Sequence, residues 1–503
     1  MKKIICLLLI LVILAAMPVS ISADAAVNSE FVLENLQAPI VEHLKDQTNQ
    51  LMGRSIWDMT IYDGKLFIGI GDYGSNLGQK LGGGIPLLCY TNETNVWELA
   101  STLDDEQVSR FFVYNNKLYI PGTDPIKRVG SVYFGDEDGM WTIRKTFDGG
   151  IHTFDMLISD NIMYACYGQD TNAKAVIRYS TDFGTFNDIE FRYDGNPIIP
   201  AGNEFARSYN LFEFGGEVYA TLKISNANNS KYNGIYKLDK TNMVLNYVGK
   251  APNHVIANSI DPSFDAEFKG NFVYAYGTLS YTNNLADNNS WKDMPGIEGS
   301  VTCAKVINGS LYFTAYTKND DGKYTSRLYK TNDLETAQVV YALEYDSYIQ
   351  SFCNENDAFY LGTGGRNETT GTVFLLSPVK YGTTDIKIKA KPESFGEDKP
   401  KWVKYQLKAG DKIIKEGILN DFRNWEFNIE GVDDRDDWSV VITEASADYK
   451  WKVESKNGVF VLSNAKQTSA LLYIAIVAAA LLIGGAVTVI LLKRKKKTEI
   501  AEN

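Results

Sequence analysis

Ile61-Tyr-Asp-Gly-Lys-Leu-Phe-Ile-Gly69 is an apolar run, a two-residue polar turn and a Phe-centred apolar run that closes on glycine. The phrase returns as Val113-Tyr-Asn-Asn-Lys-Leu-Tyr-Ile-Pro121, Ile158-Ser-Asp-Asn-Ile-Met-Tyr-Ala165 and Phe212-Glu-Phe-Gly-Gly-Glu-Val-Tyr-Ala220. Phe268-Lys-Gly-Asn-Phe-Val-Tyr-Ala275, Val306-Ile-Asn-Gly-Ser-Leu-Tyr-Phe313 and Cys353-Asn-Glu-Asn-Asp-Ala-Phe-Tyr-Leu361 complete the series. Asp-Gly, Asn-Asn, Gly-Gly and Asn-Gly between apolar runs are hairpin turns, because these residues take positive φ at little cost. The turns recur at intervals of 39 to 55 residues, which is the period of a propeller, solenoid or array.

One hairpin per repeat leaves room for two further strands, which makes a four-stranded propeller blade. A third strand ends in an aromatic and a polar turn before a fourth, as in Leu88-Cys-Tyr-Thr-Asn-Glu-Thr-Asn-Val-Trp97 and Val132-Tyr-Phe-Gly-Asp-Glu-Asp-Gly-Met-Trp141. Ser180-Thr-Asp-Phe-Gly-Thr-Phe186 resembles a degenerate Asp-box, one residue short and ending Thr-Phe instead of Thr-Trp. With only three histidines and no Trp-Asp blade endings, the chain resembles the broad sialidase-like and kelch-like propeller class over about residues 30–378. That resemblance implies a fold and no activity. The expected architecture is all-β: a seven-bladed β-propeller, closed by pairing the unclaimed strand Glu30-Phe-Val-Leu-Glu-Asn-Leu36 with the last blade. Closure of this kind protects sheet edges.

A second unit is expected at 382–463. Its short strands include Trp402-Val-Lys-Tyr-Gln-Leu407, whose alternation is that of a half-buried strand. Seven such strands in about eighty residues resemble a small immunoglobulin-like β-sandwich, suited to a stalk.

The ends of the chain give its address. Met1-Lys2-Lys3 followed by the apolar run Ile4 to Ala16 reads as a signal peptide over 1–25. Ser469 to Leu492 carries no charge and is long enough to span a bilayer as a helix. The basic run Lys493-Arg-Lys-Lys-Lys497 opens a short tail, 493–503, that the positive-inside rule places in the cytoplasm. The chain is thus expected to sit in the cell membrane with a single pass and a large N-terminal ectodomain outside. Removing the leader (net +1) and the tail (net +3) from the formal charge of −12 leaves the part between at −16. Such a charge disfavours nucleic acid as a partner. Cys89, Cys166, Cys303 and Cys353 sit singly, without metal-ligand spacing. Cys303 and Cys353 fall on innermost strands of neighbouring blades, where either a bridge or two buried thiols fit.

No metal and no cofactor are expected. Gly71-Asp72-Tyr73-Gly74 and Gly82-Gly83-Gly84 lack the Lys-Ser/Thr of a phosphate loop, and no helix is expected after them. The long connections, Gly71 to Ile85, Asp124 to Gly130, Asp194 to Ala206 and Ala251 to Pro262, belong to the rim opposite the tight turns. On that rim Arg54, Arg110, His152, Arg207 and Asp261 precede the innermost strands, with Asp58 and Asp155 slightly further in. Arginine presents a planar fork to anions, so Arg54, Arg110, His152, Asp155, Arg207 and Asp261 are the candidate ligand-binding residues. The expected role is cell-surface recognition or scaffolding, with a polar or anionic glycan or a cell-envelope protein as partner. The alternative is a glycan-active hydrolase or lyase. A sialidase would need an arginine triad, a Tyr–Glu pair and an acid. The chain has arginines, Glu204 and many tyrosines, but no motif joins them.

Overall fold

A computed structural model describes residues 30–464 apart from 38, 39, 41–50, 93, 127–129, 136–140, 146–149, 170, 172, 228, 229, 257–263, 380–382, 392, 393, 395–399, 422, 423, 436, 447–450 and 457. The chain divides into two compact units, Met1–Val379 and Lys380–Asn503.

The first unit is an all-β propeller made of antiparallel meanders. Asp58–Tyr62, Lys65–Gly69, Ile85–Thr91 and Val96–Leu103 pair in chain order, as do Phe112–Tyr114, Lys117–Pro121, Ser131–Gly135 and Trp141–Lys145. Phe264–Phe268, Asn271–Tyr276, Thr278–Thr282 and Lys292–Asp293 form another such sheet. Ser300–Ile307, Ser310–Lys318, Tyr324–Thr331 and Gln338–Tyr345 form the next. Tyr348–Glu355, Ala358–Gly364 and Val373–Pro378 end the unit, and their fourth strand is Phe31–Asn35 from the start of the chain. Phe31 stands opposite Pro378 and Asn35 opposite Phe374, so one sheet ties the two ends of the unit together.

Seven two-residue turns join first to second strands, and six of them hold both central residues at positive φ. These are the turns whose twist matches that of a hairpin. At the expected Asp-box, Asp182 Oδ1 accepts from the backbone N–H of Gly184 (2.9 Å) and Thr185 (2.7 Å) and from Ser180 Oγ (2.9 Å). Asp333 repeats this on Glu335 and Thr336, both at 2.9 Å. A carboxylate is therefore held at two third-to-fourth-strand turns by local backbone donors.

Gly150–Ser159, Ile162–Gln169, Val176–Ser180 and Asn187–Tyr193 do not form an isolated sheet. Asn187–Tyr193 pairs in parallel with Val244–Gly249, which continues through Gly234–Asp239 to Glu217–Ser225 and Leu211–Phe214. Phe205–Arg207 closes the other side, bridging Glu217–Ser225 and the end of Ile162–Gln169. The result is a ten-stranded sheet over one shared core that includes Phe154, Tyr164, Phe191, Leu222, Tyr236 and Leu245.

The second unit has two sheets, Glu426–Asp433/Thr383–Ala390/Val459–Asn464/Trp451–Lys456 and Lys412–Asn420/Trp402–Ala409/Trp438–Ala445. Val403, Tyr405 and Leu407 are buried with Ile386, Ile388 and Leu462. Trp402, Lys404 and Gln406 alternate with them and are partly exposed, as a half-buried strand requires.

Among the described residues no helix is long and apolar enough to cross a membrane; 1–25 and 469–492 lie outside those residues. One expectation is corrected. The connection from Gly71 to Ile85 contains helical turns at Tyr73–Ser75 and Leu77–Lys80. Glu106 causes the second: its carboxylate accepts from the backbone N–H groups of Gly78 and Gln79, which no helical partner satisfies.

Candidate functional site

One position recurs on or just ahead of the innermost strands, five residues before each tight turn. It holds Asp58, Arg110, Asp155, Asn210, Phe264, Cys303 and Ser351. Several of these side chains fasten their meander to the next. Asp58 Oδ2 accepts from Phe111 N–H at 2.9 Å, and Asp155 Oδ2 from Leu211 N–H at 2.9 Å. Each uses Oδ1 on the N–H of its own following residue, Met59 (2.8 Å) and Met156 (2.9 Å). Asn210 Nδ2 donates to the Val255 carbonyl at 3.0 Å, and Ser351 Oγ to the Ile56 carbonyl at 2.7 Å. The strand register shifts just ahead of Asp155, Cys303 and Ser351. A bulge there re-aims the following side chain.

Three of these residues, Asp58, Arg110 and Asp155, belong to a charged cluster between the innermost strands. Arg110 Nη1 donates to Asp155 Oδ1 at 3.0 Å and reaches Asp265 Oδ1 at 3.4 Å. Lys305 Nζ donates to Asp58 Oδ1 at 3.1 Å and to the Met59 carbonyl at 2.9 Å. Two cations thus face three carboxylates. Burial pushes the Asp155 and Asp265 carboxyls up, and the Arg110 charge opposes it. Burial also works against the Arg110 and Lys305 charges, but the carboxylates beside them outweigh it and hold both basic groups above their ordinary range.

A different group lies on the rim of the long connections. His152 Nδ1 donates to the Thr123 carbonyl at 2.8 Å and stands 3.4 Å from Asp124 Oδ1. Its ring is 5.4 Å from that of Phe154 and 6.5 Å from that of Tyr73. Phe154 packs on Tyr209 at 4.6 Å. The Arg207 guanidinium lies 5.4 Å from the Phe154 ring and 4.7 Å from that of Phe205. The floor is Phe154, which is buried; His152, Arg207, Tyr209 and Tyr73 are partly exposed around it. A surface of ring faces with two basic groups suits a ligand that is partly apolar and carries polar or anionic substituents.

The six candidate residues therefore fall into separate places. Arg110 and Asp155 meet in the charged cluster. His152 and Arg207 meet on Phe154. Arg54 is apart, buried, with Nη1 3.1 Å from Glu368 Oε2. Asp261 lies outside the described residues. The sequence reading leaves out Asp265, Lys305, Phe154 and Tyr209. Counting back from the tight turns finds the first two, four and three residues ahead of their turns. Among the described residues no group of three or more His, Cys, Asp or Glu side chains is placed to hold a metal ion. Cys89, Cys166, Cys303 and Cys353 are free and buried.

No family model matches the chain, and no curated protein does. Solved propeller structures are similar at low identity. A catalytically inactive virginiamycin B lyase from Staphylococcus aureus, crystallised with quinupristin, is 11% identical with a TM-score of 0.42. It covers 70% of this chain and 100% of its own. Saccharomyces cerevisiae Sqt1 is 11% identical with a TM-score of 0.40, over 65% and 97% of the two chains. A chain of the mitotic checkpoint complex is 8% identical with a TM-score of 0.41, over 68% and 90%.

Proposed function

We propose that the protein is a recognition module, a seven-bladed propeller on an immunoglobulin-like stalk, held at the outer face of the cell membrane by the segment 469–492. Its ligand is a polar or anionic glycan of the cell envelope or of another surface. The observation that carries this reading is the rim cluster of His152, Phe154, Arg207 and Tyr209. Aromatic faces pack on the apolar faces of sugar rings, while basic groups and hydroxyls take their polar substituents. Arg110 and Asp155 lie apart from that rim and support it through the fold, since Asp155 holds both Arg110 and the N–H of Leu211, in the strand that follows Arg207. Arg54 anchors the neighbouring lead-in through Glu368, and Asp261 stays a candidate on its place in the sequence alone.

The test is a glycan array probed with the purified protein, beside an assay of chromogenic glycosides. Binding without turnover, weakened at least about tenfold in Tyr209→Ala, supports recognition. Turnover would favour the hydrolase or lyase alternative. Binding that Tyr209→Ala leaves unchanged would move the site away from this rim.

A further inference from the structure

Gly168 is the next-to-last residue of the strand Ile162–Gln169 and stands opposite Arg207 in the bridging strand Phe205–Arg207. The backbone at Gly168 is not in a conformation reserved for glycine, since its φ is absent from the positive range. Its lack of a side chain has another use. A Cβ built there would lie 1.8 Å from Arg207 Nη1, 2.7 Å from Cζ and 3.1 Å from Cδ. The guanidinium therefore rests directly on the Gly168 backbone, with the rings of Phe154 and Phe205 at 5.4 and 4.7 Å. Glycine permits this close approach, and any other residue would displace the group. Cation–π attraction to two rings adds to the seat.

The seat is built on a stiff part of the fold. Phe205–Arg207 pairs on one side with Gly168 and on the other with Lys223, Ile224 and Ser225. Ser208 N–H then donates to the Tyr167 carbonyl at 3.0 Å. The backbone on both sides of the guanidinium is thus held by strand pairing, and a side chain of many rotamers is confined to one place before any ligand arrives. Such confinement removes an ordering cost from binding. A planar fork confined beside rings and backbone is suited to bidentate contact with a carboxylate.

We infer that Gly168 is a positioning residue that seats Arg207 for a carboxylate-bearing sugar, whose ring packs on the aromatic surface formed with Tyr209 and His152. This rests on the proposed reading of the rim as a glycan-binding face. It adds a specificity: acidic sugars are preferred to neutral ones of the same size, and the preference depends on a residue that does not itself touch the ligand.

The test uses the full-length protein with two probes, an oligogalacturonate and the neutral oligogalactoside of equal length, and follows affinity and melting temperature. The wild type should bind the acidic probe more tightly. Gly168→Ala should lower that affinity about tenfold, the loss of one charge-assisted contact, and leave the weaker affinity for the neutral probe unchanged. Arg207→Lys keeps the charge but not the fork, and should lose as much. Melting temperatures should stay within about 2 °C of the wild type, because the displaced group is the end of a flexible side chain. Equal wild-type affinity for the two probes, or variants that bind both as the wild type does, would overturn the assignment and leave the glycan reading standing. A wild type that binds neither probe would overturn both. Should Gly168→Ala fail to fold, Gly168 is structural and the inference falls for that residue, while Arg207→Lys decides the part assigned to the fork.

Discussion

Asp105 is wholly enclosed, and its two oxygens are treated differently. Oδ1 accepts from the N–H groups of Glu106 and Asp124 at 2.8 Å, while Oδ2 has no hydrogen-bond partner among the described residues. Burial pushes this carboxyl up to about 8 despite those donors. The unfolded chain releases the proton near the ordinary value of about 4, so the folded state holds a proton that the unfolded state has lost. The contribution is fully present below about pH 4 and disappears as pH rises to about 8. Asp105→Asn keeps the shape and cannot ionise. Its melting temperature should exceed that of the wild type at pH 8, and the gap should close toward pH 5. A gap of the same size at both values would mean that Asp105 is ionised in the fold. Asp155→Ala should act in the opposite sense. It removes the acceptor of Leu211 N–H and a partner of Arg110, and breaking a buried pair of this kind costs about 3 kcal/mol or more. Urea unfolding of the purified protein would measure it. A loss under about 1 kcal/mol would show that Asp265 alone suffices for Arg110 and that the link to Leu211 is dispensable.

Turns and strands differ in how far their local residues dictate them. The tight turns are legible because a two-residue hairpin needs positive φ, and Asp63-Gly64, Asn115-Asn116 and Asn308-Gly309 take it readily. Lys269 is the exception, exposed and held at φ +54° beside Gly270. A non-glycine residue there is strained by about 1 kcal/mol, so Lys269→Gly should stabilise the protein by a similar amount in urea unfolding. A neutral or negative effect would mean that the Lys269 side chain makes a contact worth more than the strain. The closing strand is equally legible, as an apolar segment, Phe31-Val-Leu33, that no neighbouring repeat claims. The parallel joint of Glu190, Phe191 and Arg192 with Val244, Leu245 and Asn246 is not. It depends on two meanders leaning together at their outer edges, and nothing local distinguishes these strands from the other fourth strands. The rim shows the same division. Arg207 and His152 are visible as basic residues ahead of innermost strands. Their shared ring, Phe154, reads as one more core aromatic until the bulge beside Asp155 turns the strand. Gly168 gives no signal in sequence, because its role is to leave space for a side chain 39 positions away.

At the scale of the first unit, the long-range ties share one logic. Phe31–Asn35 pairs with the last meander, and Ser351 reaches back to the Ile56 carbonyl, so the unit is closed by backbone pairing and by a side-chain link between its ends. Closure leaves two rims with different contents. One carries the tight turns and the local Asx turns at Asp182 and Asp333, which satisfy themselves with their own backbone. The other carries the long connections, the aromatic surface and the seated guanidinium. On the proposed reading, ligand binds on the second rim. It can be tested by blocking one rim at a time in the full-length protein. Cys89, Cys166, Cys303 and Cys353 are buried, so with Cys6 replaced by serine a cysteine placed at an exposed position takes a maleimide polymer selectively. Gln79→Cys puts the polymer on the rim of the long connections, and Glu335→Cys puts it on the rim of the turns. Glycan-array binding should be lost when position 79 carries the polymer and retained when position 335 does. Binding that survives the polymer at 79 and is lost with it at 335 would contradict the account.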